Sequence, residues 1–187
     1  MIKNVKKHAC VITGRLLYSL KKLYNFFVRK YITNKFSQVG SGVYIGNNGI
    51  FTYENIEIGD DVYIGANAVF QSSYGKIKIG SHVMFGPGVH IHGGNHKIYE
   101  IGVLMKHATK KMPGDDGIII IEDDCWIGAN SLILANVTIG KGSVIGAGSI
   151  VTKNVPPYSV YTGVPSQRIR SRFTKDELEK HNKILGG

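Results

Sequence analysis

An aliphatic residue, usually followed by glycine, returns every six positions through the middle of this 187-residue chain, and no other feature restricts its fold as much. The run begins with Val39-Gly40, Ile45-Gly46, Ile58-Gly59 and Ile64-Gly65. It continues through Ile79-Gly80, Phe85-Gly86 and Ile91. After a gap come Ile121, Ile127-Gly128, Ile133, Ile139-Gly140, Ile145-Gly146 and Val151, in unbroken register. Four positions after the aliphatic the residue is usually small or β-branched, as at Ala68, Val89, Ser131, Val137 and Ser149. Six is even, so strand alternation keeps every aliphatic on one face. Glycine after it permits a turn conformation that a Cβ disfavours. A short strand and a turn, repeated, wind a coil, and three such sides close a triangle of about eighteen residues. Coils then stack about 4.8 Å apart and bury their aliphatics against one another. The 24 glycines carry no three-residue period, which excludes a collagen-like chain.

The period resembles the hexapeptide repeat of the left-handed parallel β-helix acyltransferases, over about residues 39–155. The resemblance implies an all-β solenoid, a left-handed parallel β-helix; its handedness comes from the resemblance alone, since crossovers are ordinarily right-handed. The repeat breaks in three places, and breaks in a solenoid put out loops. One residue is added near Asn55 and three near Ser73–Gly75; a large loop spans 93–117. His90 and His92 precede that loop, which holds His96, His107, Asp115 and Asp116.

The stretches Ile91-His92-Gly93-Gly94-Asn95-His96, Cys125-Trp126-Ile127-Gly128-Ala129-Asn130, Val144 through Lys153 and Gly163-Val164-Pro165 narrow the likeness. Over residues 40–172 the chain is similar to the maltose/galactoside and polysaccharide O-acetyltransferases, near the capsule and lipopolysaccharide enzymes. That resemblance implies a homotrimer using acetyl-CoA, with active sites between subunits and no metal. It makes His96 the general base that takes a proton from an acceptor hydroxyl, chemistry for which imidazole has a suitable pKa. His90 and His92 flank Ile91 and point outward, where they orient His96 or meet the acceptor. They also invite a metal reading, but three histidines crowd one turn with no matching set elsewhere. Trp126 faces outward by the same alternation, as a contact surface; the resemblance implies a place near the active cleft between subunits, where it meets the acceptor, packs the trimer, or both. Asp115 and Asp116 either bind sugar hydroxyls or solvate a turn with Gly114 and Gly117. The C-terminal coils are expected to line the CoA groove. Small Ala129, Ala147 and Gly148 let the pantetheine arm approach, and Lys153, Arg168 and Arg170 are placed to meet phosphates. Gln167 stands where many relatives carry a basic residue, leaving Arg168, Arg170 or Arg172 for the 3′-phosphate. Cys125 lacks a base partner in the sequence and reads as structural.

The charge is unevenly placed. Net charge is +10, yet nine basic residues precede the first acidic one, Glu54. The remainder has 14 basic against 13 acidic residues, so the basic character belongs to the N-terminal segment. There Leu16, Leu17, Leu20, Leu23, Tyr24, Phe27, Val28 and Tyr31 recur at helical spacing, with Lys21, Lys22, Arg29 and Lys30 between them. Residues 1–37 are therefore expected to form a basic amphipathic helix. It either packs on the main domain or lies on an anionic membrane. No nucleic-acid motif accompanies it. Neither a signal peptide nor a spanning helix is expected, and the two cysteines fit a reducing compartment, with a cytoplasmic or peripheral location.

Residues 38–172 form the solenoid domain, and 173–187 a short helix. There Thr174 through Glu177 fit a capping box, and the helix is expected to cap the solenoid end. The expected activity is acetyl-CoA-dependent O-acetylation of a sugar hydroxyl on a cell-surface polysaccharide or its precursor. The alternatives are N-acetylation of an amino sugar, free or nucleotide-linked, and a non-catalytic binding solenoid.

Overall fold

The computed structural model describes residues 2–111 and 115–186, with side chains from residue 10 onward. Gly114 of the expected turn, and the side chains of Lys3, Lys6 and Lys7, lie outside the described residues. The chain divides into two compact units, Met1–Lys35 and Phe36–Gly187.

The first unit is one helix, α1 (Ile2–Thr33). Its first turn has no acidic residue and its last carries Lys30, which favours the negative end of the helix dipole. The Thr33 hydroxyl donates to the Arg29 carbonyl at 2.8 Å in the closing turn. The helix thus stops short of residue 37, and Phe36 is buried in the second unit.

The second unit is a solenoid of three parallel sheets. The first face stacks β1 (Gln38–Val39), β4 (Ile56–Ile58), β7 (Ile77–Ile79), β10 (Ile119–Ile121) and β13 (Thr138–Ile139). The second stacks β2 (Tyr44–Ile45), β5 (Tyr63–Ile64), β8 (Met84–Phe85), β11 (Trp126–Ile127) and β14 (Val144–Ile145). The third stacks β3 (Ile50–Phe51), β6 (Val69–Gln71), β9 (His90–His92), β12 (Leu132–Leu134) and β15 (Ile150–Val151). Successive coils are in register with the repeat: Ile64 pairs with Phe85, and Ile127 with Ile145. All four are buried, as are Ile58, Ile79, Ile121 and Ile139 on the first face and Phe70, Ile91, Ile133 and Val151 on the third. Burying such side chains contributes about 1.5–3 kcal/mol each. The small fourth position is explained by the same stacking. Ser131 and Ser149 are buried, and each hydroxyl donates to the Gly146 carbonyl, at 3.1 and 2.7 Å.

The glycines after the aliphatics have a different cause from the one expected. They do not adopt positive φ. A Cβ on Gly46, Gly86 or Gly128 would lie 2.5 Å from the backbone nitrogen of Ala66, Ala129 or Ala147 in the next coil. Close stacking at the corners selects them, not turn conformation. The left-handed positions form separate columns: Asp61, His82, Asp124 and Gly142 at one edge, and Asn67, Gly88, Asn130 and Gly148 at another. Asn, Asp and Gly are the residues that tolerate this conformation best.

The C-terminal end departs from the expected plan. After β14 the second face adds β16 (Ser159–Thr162) in parallel, then β17 (Gln167–Ser171) antiparallel. The strand at that edge is therefore paired by a hairpin, while the terminal helix meets the last coil at Tyr158, whose hydroxyl donates to Asn182 Oδ1 at 3.1 Å. Arg172 follows and ties the segment down, donating to Asp124 Oδ2 at 2.6 Å and to the Gly142 carbonyl at 3.0 Å. The final helix, α2 (Lys175–Leu185), has the expected capping box, with Thr174 N–H donating to Glu177 Oε2 at 2.8 Å.

Candidate active site

The third face carries the histidines because β9 alternates. Ile91 is buried, so His90 and His92 both project outward, with ring centroids 5.7 Å apart. His90 is exposed and sits in a row with Val69 and Leu132. His92 is half-buried beside Gln71 and Leu134. Burial, and then the neighbouring His90, push the His92 imidazole below its ordinary pKa, which favours the neutral ring.

The chain leaves the solenoid directly after β9. Gly93 N–H donates to the Gln71 carbonyl at 2.8 Å, and on return Gly117 N–H donates to the Gly93 carbonyl at 3.0 Å. Exit and re-entry are thus stitched together at one point. His96 lies just outside this stitch, is exposed, and lines two adjoining hollows. The smaller, of about 310 Å³, is shared with Thr52, Gln71, Tyr74, His92 and Lys111. The larger, of about 1110 Å³, is walled by Lys97, Ile98, Tyr99, Ile101, Lys110 and Asp115. The fold therefore brings together His96, His92 and Asp115, with His90 next to His92. A separate groove of about 400 Å³ on the first face holds none of the candidate residues.

The adjacent acids part company. Asp115 is exposed in the larger hollow. Asp116 turns inward: its side chain is 1% exposed and its oxygens are taken up by neighbouring groups of the loop and of the coil beside it. It pairs with the Lys111 ammonium and accepts N–H bonds from Tyr74 at 3.1 Å and Asn95 at 3.3 Å. Lys111 also lies 5.3 Å from the Tyr74 ring centroid. Asp116 thus fixes the backbone immediately before His96.

Sequence reasoning missed Thr52, Gln71, Tyr74 and Lys111. Gln71 pairs with His92 across β6 and β9. That neighbour was recoverable from the repeat once the three added residues near Ser73 were subtracted. Lys111 approaches only through the loop's path, which leaves no periodic trace.

Trp126 is on the second face, half-exposed, in a ladder that runs Tyr44, Tyr63, Met84, Trp126, Val144. The two tyrosine rings stack in parallel at 5.0 Å. Ala129, Ala147 and Gly148 share the edge between the second and third faces, and a Cβ on Gly148 would meet nothing within 4 Å. Lys153 is exposed past β15, at the next corner. Arg168 and Arg170 are exposed on β17, on the same face as Trp126. The Arg168 guanidinium donates to Ser171 Oγ at 2.6 Å, and that of Arg170 to the Ser171 carbonyl at 3.1 Å. Cys125 is buried, its thiol donating to the Gly140 carbonyl at 3.3 Å, and burial pushes its pKa up to about 12. It carries its proton at any ordinary pH and is no nucleophile.

Residues 118–153 match the family described as bacterial transferase hexapeptide (six repeats), and 55–70 match the hexapeptide repeat of succinyl-transferase. A hexapeptide-repeat-containing acetyltransferase of Vibrio cholerae, solved with acetyl coenzyme A, superposes with a TM-score of 0.67 at 30% identity, covering 76% of this chain and 75% of that one. A maltose O-acetyltransferase of Clostridium difficile superposes at 0.65 and 30% identity, covering 75% and 72%. The galactoside O-acetyltransferase of Lactococcus lactis is 40% identical over 89 residues, 48% of this chain and 40% of that protein. Alignments with the first curated relatives span only 30–42% of their lengths. The parallel sheets and these neighbours fit a left-handed β-helix.

Proposed function

The chain belongs to the hexapeptide-repeat acetyltransferases, and from that premise we propose that it transfers acetyl from acetyl-CoA to a hydroxyl of a saccharide acceptor, with His96 as general base. The observation that carries this reading is the position of His96, exposed at the loop's exit and shared by two hollows. An alcohol is a weak nucleophile near neutral pH and needs a base. His96 takes the hydroxyl proton as the oxygen attacks the thioester carbonyl. The tetrahedral species collapses and expels the CoA thiolate, which recovers the proton from the imidazolium. Atoms and charge balance without a covalent enzyme intermediate. His92, held toward its neutral form, adds no competing charge beside the base. His90, Trp126 and Asp115 are proposed to contact the acceptor. Ala129, Ala147 and Gly148 form the edge along which pantetheine lies, and Lys153, Arg168 and Arg170 are the candidates for its phosphates.

The acceptor class proposed is a cell-surface polysaccharide, capsular or lipopolysaccharide, or its precursor. The assembly proposed is a homotrimer, supported by the ladder through Tyr63, Met84 and Trp126, which leaves large apolar groups half-exposed.

The test is thiol release from acetyl-CoA across a panel of sugars, comparing the wild type with His96→Ala. We expect a rate loss of about three orders of magnitude, with acetyl-CoA affinity retained. Equal rates would remove His96 from the mechanism. Amino sugars in the same panel separate N- from O-acetylation, since only the acceptor differs. A protein that never binds CoA would instead favour the non-catalytic solenoid.

A further inference from the structure

The structure assigns α1 a partner that the acetyltransferase fold does not supply. We propose that this helix docks the protein on an anionic lipid bilayer, lying in the plane of its surface.

The argument starts from spacing. Ile12, Leu16, Leu20, Leu23, Phe27 and Tyr31 follow one another at intervals of three or four, so they share one stripe of a helix. All six are exposed. Leu17, Leu20, Tyr24, Phe27 and Tyr31, also exposed, alternate three and four, so spacing alone admits a second helix as well as a surface, and charge decides between them. Arg15, Lys22 and Arg29 recur every seven residues on the opposite side, with Lys21 beside them. Tyr24 and Lys30 border the stripe, as aromatic and long cationic side chains do where a helix meets headgroups.

Charge decides the occupant. The first 35 residues carry nine Lys and Arg and no Asp or Glu, whereas the rest of the chain is close to neutral. An apolar protein groove would take the stripe but has no use for so large a basic excess in the sequence around it. An anionic lipid surface takes both, with about a five-fold gain in binding for each cation brought near it. No described helix is long and apolar enough to cross a membrane, so the helix lies on the bilayer and does not span it.

The experiment is co-sedimentation of the full chain with two kinds of vesicle, phosphatidylcholine alone and phosphatidylcholine mixed with phosphatidylglycerol. Binding is expected only with the anionic vesicles and is expected to weaken steeply toward 1 M salt, where screening acts within about 3 Å. Two variants share the work. Leu20→Glu/Phe27→Glu spoils the apolar stripe; Lys21→Gln/Lys22→Gln removes charge and leaves the stripe intact. Each is expected to lose at least ten-fold in vesicle binding, with helix content by circular dichroism and the main thermal transition unchanged. Equal binding to both vesicles, no binding, or unaltered binding by both variants overturns the proposal. So does a Leu20→Glu/Phe27→Glu protein whose change is in molecular mass rather than in lipid binding, because a second copy then covers the stripe.

Discussion

Asp116 holds a loop whose open side carries His96. Its carboxylate is buried and serves the Lys111 ammonium together with the amides of Tyr74 and Asn95. Removing it leaves a part-buried cation and two amides without their acceptor. Asp116→Ala is therefore expected to destabilise the second unit by about 3 kcal/mol, read from urea unfolding. Asp116→Asn keeps an acceptor oxygen for an amide and is expected to lose less. In both, kcat is expected to fall while the KM for acetyl-CoA holds, since the residue acts through the backbone before His96. A drop in acetyl-CoA affinity equal to the drop in kcat would show general unfolding instead. Asp115 and Asp116 are the same residue type one position apart, and no sequence rule separates them. Only the fold of the loop turns one outward and buries the other.

Among the elements, α2 is the one whose start was written most plainly in the sequence. Thr174 and Glu177 form the reciprocal cap, and the Thr174 N–H, then its hydroxyl, hold the Glu177 carboxyl below its usual value of 4.5. A depressed carboxyl contributes stability that is complete above its unfolded pKa and is lost as pH falls through the folded one. Protection of the α2 amides, taken relative to their intrinsic exchange rates at each pH, is thus expected to fall below about pH 4.5, ahead of the core strands. Thr174→Ala is expected to speed the same amides at neutral pH, corresponding to a cost of about 1 kcal/mol. Protection factors flat across that acid range would refute the cap's contribution. The hairpin of β16 and β17 was not legible, because Gln167–Ser171 is exposed throughout and, with Ile169 its one apolar residue, carries no alternating apolar signal. Its pairing is decided by the edge of the coil beside it.

At the scale of the molecule, the three faces differ in chemistry. The first face shows Gln38, Glu57, Lys78 and Thr138 outward, with Lys76 and Lys78 within 3.0 and 3.5 Å of the Glu57 carboxylate. The second presents Tyr44, Tyr63, Met84 and Trp126, and the third Ile50, Val69 and Leu132 around His90. Two apolar faces meeting at one edge suit a closed assembly in which unlike faces of neighbouring copies touch. On the proposed trimer, Met84→Glu/Trp126→Glu is expected to shift sedimentation velocity from a trimer to a monomer, with the fold retained by circular dichroism; a wild type that sediments as a monomer overturns the proposed assembly. A trimer that survives both charges places the interface elsewhere.

The sequence by itself determined the solenoid, because a period of six commits each aliphatic to the interior of a coil whatever else the chain does. It also determined where the coil must open, since residues 93–117 break the period, and that a basic helix precedes it. The roles of individual loop residues were decided only by tertiary structure. A repeat specifies its own neighbours through register, and a loop without a period has none to specify. The corner glycines mark the boundary between the two kinds of information. Their positions were fixed by the sequence pattern, but the reason for them, a backbone nitrogen 2.5 Å from where a Cβ would stand, exists only once one coil lies on the next.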